Sequence, residues 1–297
     1  MTTTTAQAAV PAKVRKPGRV GATAAKAGPA IKIIVWIMVA IWTLPTVGLL
    51  VTSFRPEIDV RRTGWWTVFA KPNFTLDTYS ETIQTDGLVD SFINSFIITI
   101  PGVIMPILLA LLAAYAFAWI DFKGRNFLFA AVFALQVVPI QVTLIPLLSQ
   151  YVRWGLAGTY WTVWLSHTIF GLPLAIFLLH NFMKEIPQSL IEAARVDGAG
   201  HVRVFFQVLL PLLVPAIASF GIFQFLWVWN DLLVALVFAG SEYSPITKFV
   251  ASLQGSFGGS WHLLSAGAFI SMVVPLVVFI SLQRFFVRGL LAGGVKG

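Results

Sequence analysis

Asp231 is the one acid deep inside an apolar run of the 297-residue chain, flanked by Trp229, Asn230 and Leu232. A carboxylate at membrane depth costs about 2.5–3.5 kcal/mol on the insertion scale, so it must face a cavity, a partner or a helix end. Two roles are open. Asn230 and Asp231 can cap a broken helix, because Asn and Asp satisfy the free N–H groups of a helix start. Alternatively, with Gln224, Trp227 and Trp229, they can line a path for a sugar, which is held by aromatic faces and side-chain hydrogen bonds. His167 and His180 have no metal-ligand partner at helical spacing and there is no H-E-x-x-H, so a metal site is not expected. The absence of cysteine excludes disulfides and thiol chemistry. No G-x-x-x-x-G-K-[ST] loop is present, nor even a Gly-Lys pair, so any ATP must be bound by another chain.

The elements that position these residues are membrane spans. Hydrophobic residues make up 58% of the chain and charged ones 11%, against about 25% charged in soluble domains, so a soluble surface cannot be built. Apolar segments run over Ile33–Thr52, Phe92–Ile120, Phe127–Leu148, Tyr160–Phe182, Val204–Ala239 and Leu263–Leu282. Each compares with the roughly 20 residues needed to cross the hydrocarbon as a helix, and the fifth is too long for one straight crossing, so a break near Asn230-Asp231 is expected. Continuous apolarity without alternation argues against barrel strands. The expected fold is an all-α integral membrane protein with six transmembrane helices over 33–288. A basic, disordered cytoplasmic tail over 1–32 and a C-terminal cytoplasmic tail over 289–297 flank it. Of the 20 Lys and Arg, fourteen fall on the side of the termini and six on the other. The positive-inside rule then puts both termini in the cytoplasm. In that setting the net charge of +8 speaks for basic loops on anionic lipid and not for nucleic acid.

The longest cytoplasmic loop, over 184–206, reads KEIPQSLIEAARVDGAGHVRVFF. Pro187 suits the first turn of a helix and Gly198 the left-handed residue that ends one. Gln188, Glu192 and Arg195 form a polar stripe at i, i+4, i+7; Leu190 and Ala194 mark a small apolar stripe, with Ala193 beside it. The helix is short and its apolar face lacks aromatics, which favours docking on a protein over lying on lipid.

At these residues the chain resembles a known family. Glu192-Ala193-Ala194, Asp197-Gly198-Ala199 and Leu210-Pro211-Leu212 with Pro215 resemble the EAA motif of binding-protein-dependent ABC importer permeases. The C-terminus, from Gln283 to Gly297, resembles the carbohydrate, maltose-type branch, and Phe225–Gly240 is similar to the α-glucoside subgroup. The resemblance implies a type I importer fold in which Glu192, Ala193, Ala194, Asp197, Gly198, Ala199 and Pro211 belong to a coupling loop seated on a cytosolic ATPase. Gly293, Gly294, Val295, Lys296 and Gly297 would touch the ATPase dimer. The implied partners are two copies of that ATPase, a second, non-identical permease, and an extracytoplasmic solute-binding protein that delivers the sugar. ATP and Mg would be bound by the ATPase, with no cofactor on this chain and no catalysis by it. The implied location is the bacterial inner membrane. An ion-coupled secondary transporter is the alternative. It would need intramembrane acids and usually an internal repeat, and Asp231 alone supports it.

Overall fold

The computed structural model describes residues 28–254 and 259–294, the stretch 284–294 as backbone only. In chain order the helices are α1 (Pro29–Ser53), α2 (Glu57–Arg62), α3 (Asp77–Gln84), α4 (Leu88–Trp119), α5 (Arg125–Ala134), α6 (Ile140–Arg153) and α7 (Tyr160–Glu185). They continue as α8 (Gln188–Val196), α9 (His201–Arg203), α10 (Leu210–Trp229), α11 (Leu233–Phe238), α12 (Ile246–Ser252) and α13 (Trp261–Gly294). Short 3-10 turns cover Trp65–Phe69, Leu135–Val137 and Ser241–Tyr243, and a π-helical turn covers Val204–Leu209. Among the described residues there is no strand, as expected for an all-α membrane protein. The chain falls into two units, Met1–Thr46 and Val47–Gly297. The described part of the first is the opening of α1, where the Thr43 hydroxyl donates to the Val39 carbonyl at 2.7 Å. Everything below concerns the second.

Among the described residues five helices are long and apolar enough to cross a membrane: Pro29–Ser53, Leu88–Trp119, Tyr160–Glu185, His201–Trp229 and Trp261–Gln283. The third expected span, over 127–148, is not a straight helix. It is the pair Arg125–Val137 and Ile140–Arg153, bent by 101°. Pro139 causes the break: its ring forces Val138 into extended backbone (φ −71°, ψ 120°) and it has no N–H to continue the helix. The fifth segment breaks where expected, α10 ending at Trp229 and the short α11 beginning at Leu233. At the C-terminus α13 continues to Gly294, beyond the expected end of the membrane domain at 288.

The most extensive pairing is α4 against α7, with α10 packed on both and α13 on α10. One core cluster joins Ala110, Leu111 and Ala114 of α4 to Ala175, Leu179 and Met183 of α7 and Leu213, Ala216 and Phe220 of α10. Alanines at the crossing let the backbones approach, which is how helices gain packing energy where lipid provides no hydrophobic drive.

Prolines inside these spans would leave carbonyls without their regular donor four residues on. Three such carbonyls are met from neighbouring helices. Pro101 frees the Ile97 carbonyl of α4, and the Trp164 indole of α7 donates to it at 2.9 Å. Pro106 frees the Gly102 carbonyl, and the Gln224 amide of α10 donates to it at 3.1 Å. Pro275 frees the Ser271 carbonyl of α13, and the Trp229 indole of α10 donates to it at 3.1 Å. Each kink thus becomes an interhelical hydrogen bond.

Candidate functional site: a membrane cavity and a docking loop

A cavity of about 1040 Å³ opens among α6, α7, α10 and the two helix breaks. Its wall includes Leu135–Thr143 around the Pro139 bend and Asp231, Leu233 and Val234 around the α10–α11 break. Broken backbone at membrane depth is tolerated where it lines a cavity or is buried in protein, and both breaks meet this one cavity. Of the residues expected along a sugar path, Gln224, Trp227 and Asp231 are on the wall. The Asp231 carboxylate also accepts from the Ala235 N–H at 3.1 Å, so it caps α11 while reaching the cavity. The capping geometry is met, and the same side chain stands on the cavity wall. His167, buried in α7, approaches Asp231 at 3.9 Å and packs edge-on against Trp227 at 5.4 Å.

Trp229 and Asn230 lie elsewhere. Trp229 is 2% exposed, packed against Phe92, Phe96 and Phe225, with its N–H spent on Ser271. Asn230 turns back on its own helix and donates to the Leu226 carbonyl at 2.7 Å, closing α10 instead of starting α11. Sequence reasoning missed Gln136, Gln141, Thr143 and Gln150, which share the wall. The available signal was the presence of three carboxamides within one apolar stretch around Pro139.

The far end of α11 is held as firmly as its start. Thr162 of α7 donates to the Phe238 carbonyl at 2.9 Å and Lys248 of α12 to the Ala239 carbonyl at 2.9 Å. These take up groups that a six-residue helix leaves open. Asn94 of α4 secures the following turn through the Glu242 and Ser244 carbonyls, at 3.0 and 3.2 Å.

The docking loop is α8 with its exit. Pro187 is the residue before the helix, not in its first turn: its ψ of 129° is extended and Gln188 opens α8. The exit is a Schellman motif. The Gly198 N–H donates to the Arg195 carbonyl at 3.0 Å and the Ala199 N–H to the Ala194 carbonyl at 2.9 Å. Gly198 sits at φ +79°, the left-handed conformation such an ending requires. Ala194 and Ala199, the two residues the motif brings together, pack as a pair against the core. The pattern Ala194…Gly198-Ala199 is thus first of all the local code for a sharp turn out of α8.

Ile191 is the buried anchor of α8, 2% exposed, and the apolar stripe expected at Leu190 and Ala194 is divided between the core and the surface. Ala194 does face the core, but Leu190 and Ala193 are exposed, with Glu192, Arg195, Val196 and Asp197. Glu192 accepts from Gln188 at 2.8 Å, along the helix toward its start. Pro211 stands at the start of α10, directly after the π-helical turn. It has no N–H for the Gln207 carbonyl, and a π turn is a common way for a helix to absorb such a lost bond. Of the expected C-terminal contacts, Gly293 and Gly294 end α13, while Val295, Lys296 and Gly297 lie outside the described residues.

With this geometry in view, the sequence comparisons fall into place. Residues 106–291 match the family described as "Binding-protein-dependent transport system inner membrane component". The chain belongs to that family. It is similar to the osmoprotective compounds uptake permease protein GgtD of Synechocystis, 53% identical over 90% of this chain and 91% of that one. It is likewise similar to the alpha-glucoside transport system permease protein AglG of Rhizobium meliloti, 52% identical over 82% of this chain and 68% of that one. Among solved structures, its fold matches a chain of a bacterial ABC transporter involved in import of the acidic polysaccharide alginate. The TM-score is 0.70 at 19% identity, covering 86% of this chain and 95% of that one. The protein is therefore a multi-pass inner-membrane permease subunit of a binding-protein-dependent importer, with an ABC importer fold.

Proposed function

We propose that this permease passes a neutral, polyhydroxylated solute of the α-glucoside type, driven by a cytosolic ATPase seated on α8. The observation that carries the reading is the convergence of both helix breaks on one largely apolar cavity that carries a few polar side chains. Its wall offers carboxamides from Gln136, Gln141 and Gln150, the Trp227 indole and one carboxylate, and among the described residues no Lys or Arg lines it. That set suits hydroxyl groups and a pyranose face, and offers nothing to pair with an anionic sugar. Pro146 and Pro173 are on the same wall with Val142 and Ile169, whose carbonyls they deprive of the regular helical donor and so present as further acceptors. The names of the two permease relatives support the solute class.

The same reading assigns the remaining parts. The exposed small face of α8, Leu190, Ala193 and Asp197, docks in a cleft of the ATPase, two copies of which bind ATP and Mg. A second permease completes the path, and an extracytoplasmic solute-binding protein delivers the sugar. The termini lie in the cytoplasm, as the basic residues distribute. An ion-coupled mechanism has less support, since Asp231 is committed to α11 as a cap.

The test is a trio of measurements on Gly198→Asp and Glu192→Lys: co-purification of the ATPase, its stimulation by the loaded binding protein, and uptake of radiolabelled maltose. Gly198 has open space around it, so the aspartate is resisted by its φ of +79° and by the docked surface, not by crowding within the chain. Loss of ATPase binding or stimulation in either variant is expected. Wild-type behaviour in all three measurements would remove the docking role of this loop.

A further inference from the structure

The exit from α8 poses a mechanical problem. A force applied to α8 has to pass Gly198-Ala199-Gly200 to reach α10, and the glycines have no neighbour within 4 Å of where a side chain would begin. Only Ala199, packed against the core and bonded to Ala194, stiffens this junction from within. Two contacts bracket it. On one side Ile191 anchors α8 in the core. On the other, His201, the first residue of α9, is held by Tyr115 near the end of α4.

The Tyr115 hydroxyl lies 2.7 Å from His201 Nδ1, and it also donates to the His201 carbonyl at 3.5 Å. The two rings meet edge-on at 6.0 Å, and Tyr115 meets Phe205 of the π-helical turn edge-on at 5.4 Å. Tyr115 is 7% exposed and Phe205 6%, so the joint is packed on the side of α4 and the π turn, while His201 itself is exposed. Its three parts come from α4, from the residue after the glycine junction, and from the π turn that leads into α10.

We propose that Tyr115 is a positioning residue for coupling: its hydroxyl clasps His201 so that movement of α8 is carried past the glycine junction into α4 and α10 together. The inference rests on the reading of α8 as the ATPase-docking helix. With the clasp closed, α8, the junction and the ends of α4 and α10 move as one body. With it open, the glycines absorb the displacement and ATP is hydrolysed without moving the spans.

The rescue pattern is specific to the geometry. An asparagine amide places an oxygen and a nitrogen near the position of a histidine Nδ1, and so can accept from or donate to the Tyr115 hydroxyl. A glutamine amide falls instead near Nε2, which does not face it. The intact complex, purified with its ATPase and second permease and reconstituted with its solute-binding protein, is compared in four forms: wild type, Tyr115→Phe, His201→Gln and His201→Asn. Stimulation of ATP hydrolysis by the binding protein is read in each. Spin labels on Ser189 of α8, which is not one of the docking residues, and Leu112 of α4, both exposed, report the distance between the two helices before and after trapping with ATP and vanadate.

Tyr115→Phe and His201→Gln should retain the ATPase but lose stimulation roughly fivefold to tenfold, the change set by one partly buried hydrogen bond. Their label distances should broaden on trapping. His201→Asn should restore both measurements toward wild type. Equal stimulation and equal distance distributions in wild type and Tyr115→Phe would overturn the clasp. So would matching behaviour of His201→Asn and His201→Gln, since a merely structural side chain would not distinguish them. Gly198→Asp run alongside separates the two ideas: if it uncouples while Tyr115→Phe does not, docking stands and the clasp falls; if neither uncouples, the docking reading itself falls.

Discussion

Replacing Trp229 by Phe should cost stability mainly through one hydrogen bond, and the cost should nearly vanish when Pro275 is also replaced. Trp229 fills a buried aromatic cluster with Phe92, Phe96 and Phe225, and phenylalanine keeps most of that packing. What it cannot keep is the indole N–H that reaches the Ser271 carbonyl at 3.1 Å. That carbonyl has no helical donor because residue 275 is proline. Interhelical hydrogen bonds within membranes average about 0.6 kcal/mol, with a maximum near 1.7, because an unfolded helix in the membrane finds other partners. A buried acceptor left with no partner costs about 1–3 kcal/mol. Both helix faces here are already desolvated, so the two ranges overlap at about 1–1.5 kcal/mol, the expected value for the hydrogen-bond part of the loss. In Pro275→Ala the new Ala N–H can donate to Ser271 within the helix, so the indole becomes redundant. The assay is a double-mutant cycle by denaturing-detergent titration of the reconstituted protein, reading the midpoint for Trp229→Phe with and without Pro275→Ala. Pro101→Ala serves as the mismatched background, since it frees no group that Trp229 meets. The expected coupling is about 1 kcal/mol for the matched pair and within about 0.3 kcal/mol of zero for the mismatched one. Equal penalties in both backgrounds would refute the account of prolines and donors as matched pairs.

Two other perturbations test neighbouring parts of the site. Gly171→Ala places a Cβ 2.7 Å from the Gln224 amide nitrogen, so the amide must leave the Gly102 carbonyl; a loss of roughly 1–2 kcal/mol is expected in the same titration, and it should shrink in Pro106→Ala. Asp231→Asn keeps an oxygen for the Ala235 N–H, so assembly should survive, whereas Asp231→Ala removes the cap at about 0.5–2 kcal/mol. Maltose uptake then separates the roles: if the carboxylate serves only as a cap, Asp231→Asn transports normally, and if it also meets the solute, uptake falls while the complex stays whole.

The parts of this fold that were legible in the sequence share a cause. Spans, breaks and the Schellman exit are local consequences of composition: apolar length, a proline, a left-handed glycine four residues beyond an alanine. Asn230-Asp231 announces its break because no neighbour is needed to make it break, whereas the sequence reads 127–148 as one span and the 101° bend at Pro139 emerges only in the fold. What a break then does depends on which side chain arrives from elsewhere, and there local reasoning loses its footing. Trp229 and Asp231 are two residues apart in sequence, yet one is spent on α13 and the other caps α11 beside the cavity, because the end of α10 turns one inward and releases the other. His201 is exposed, as its polar loop setting suggests, yet its hydrogen-bond partner Tyr115 is 86 residues away. The same limit explains why prolines in membrane helices read from sequence as tolerated kinks. The donors that answer Pro101, Pro106 and Pro275 are on other helices, at separations of 67, 122 and 42 residues between donor and acceptor. A proline in such a bundle is half of an interaction, and its meaning is set by whether a distant Trp or Gln supplies the other half.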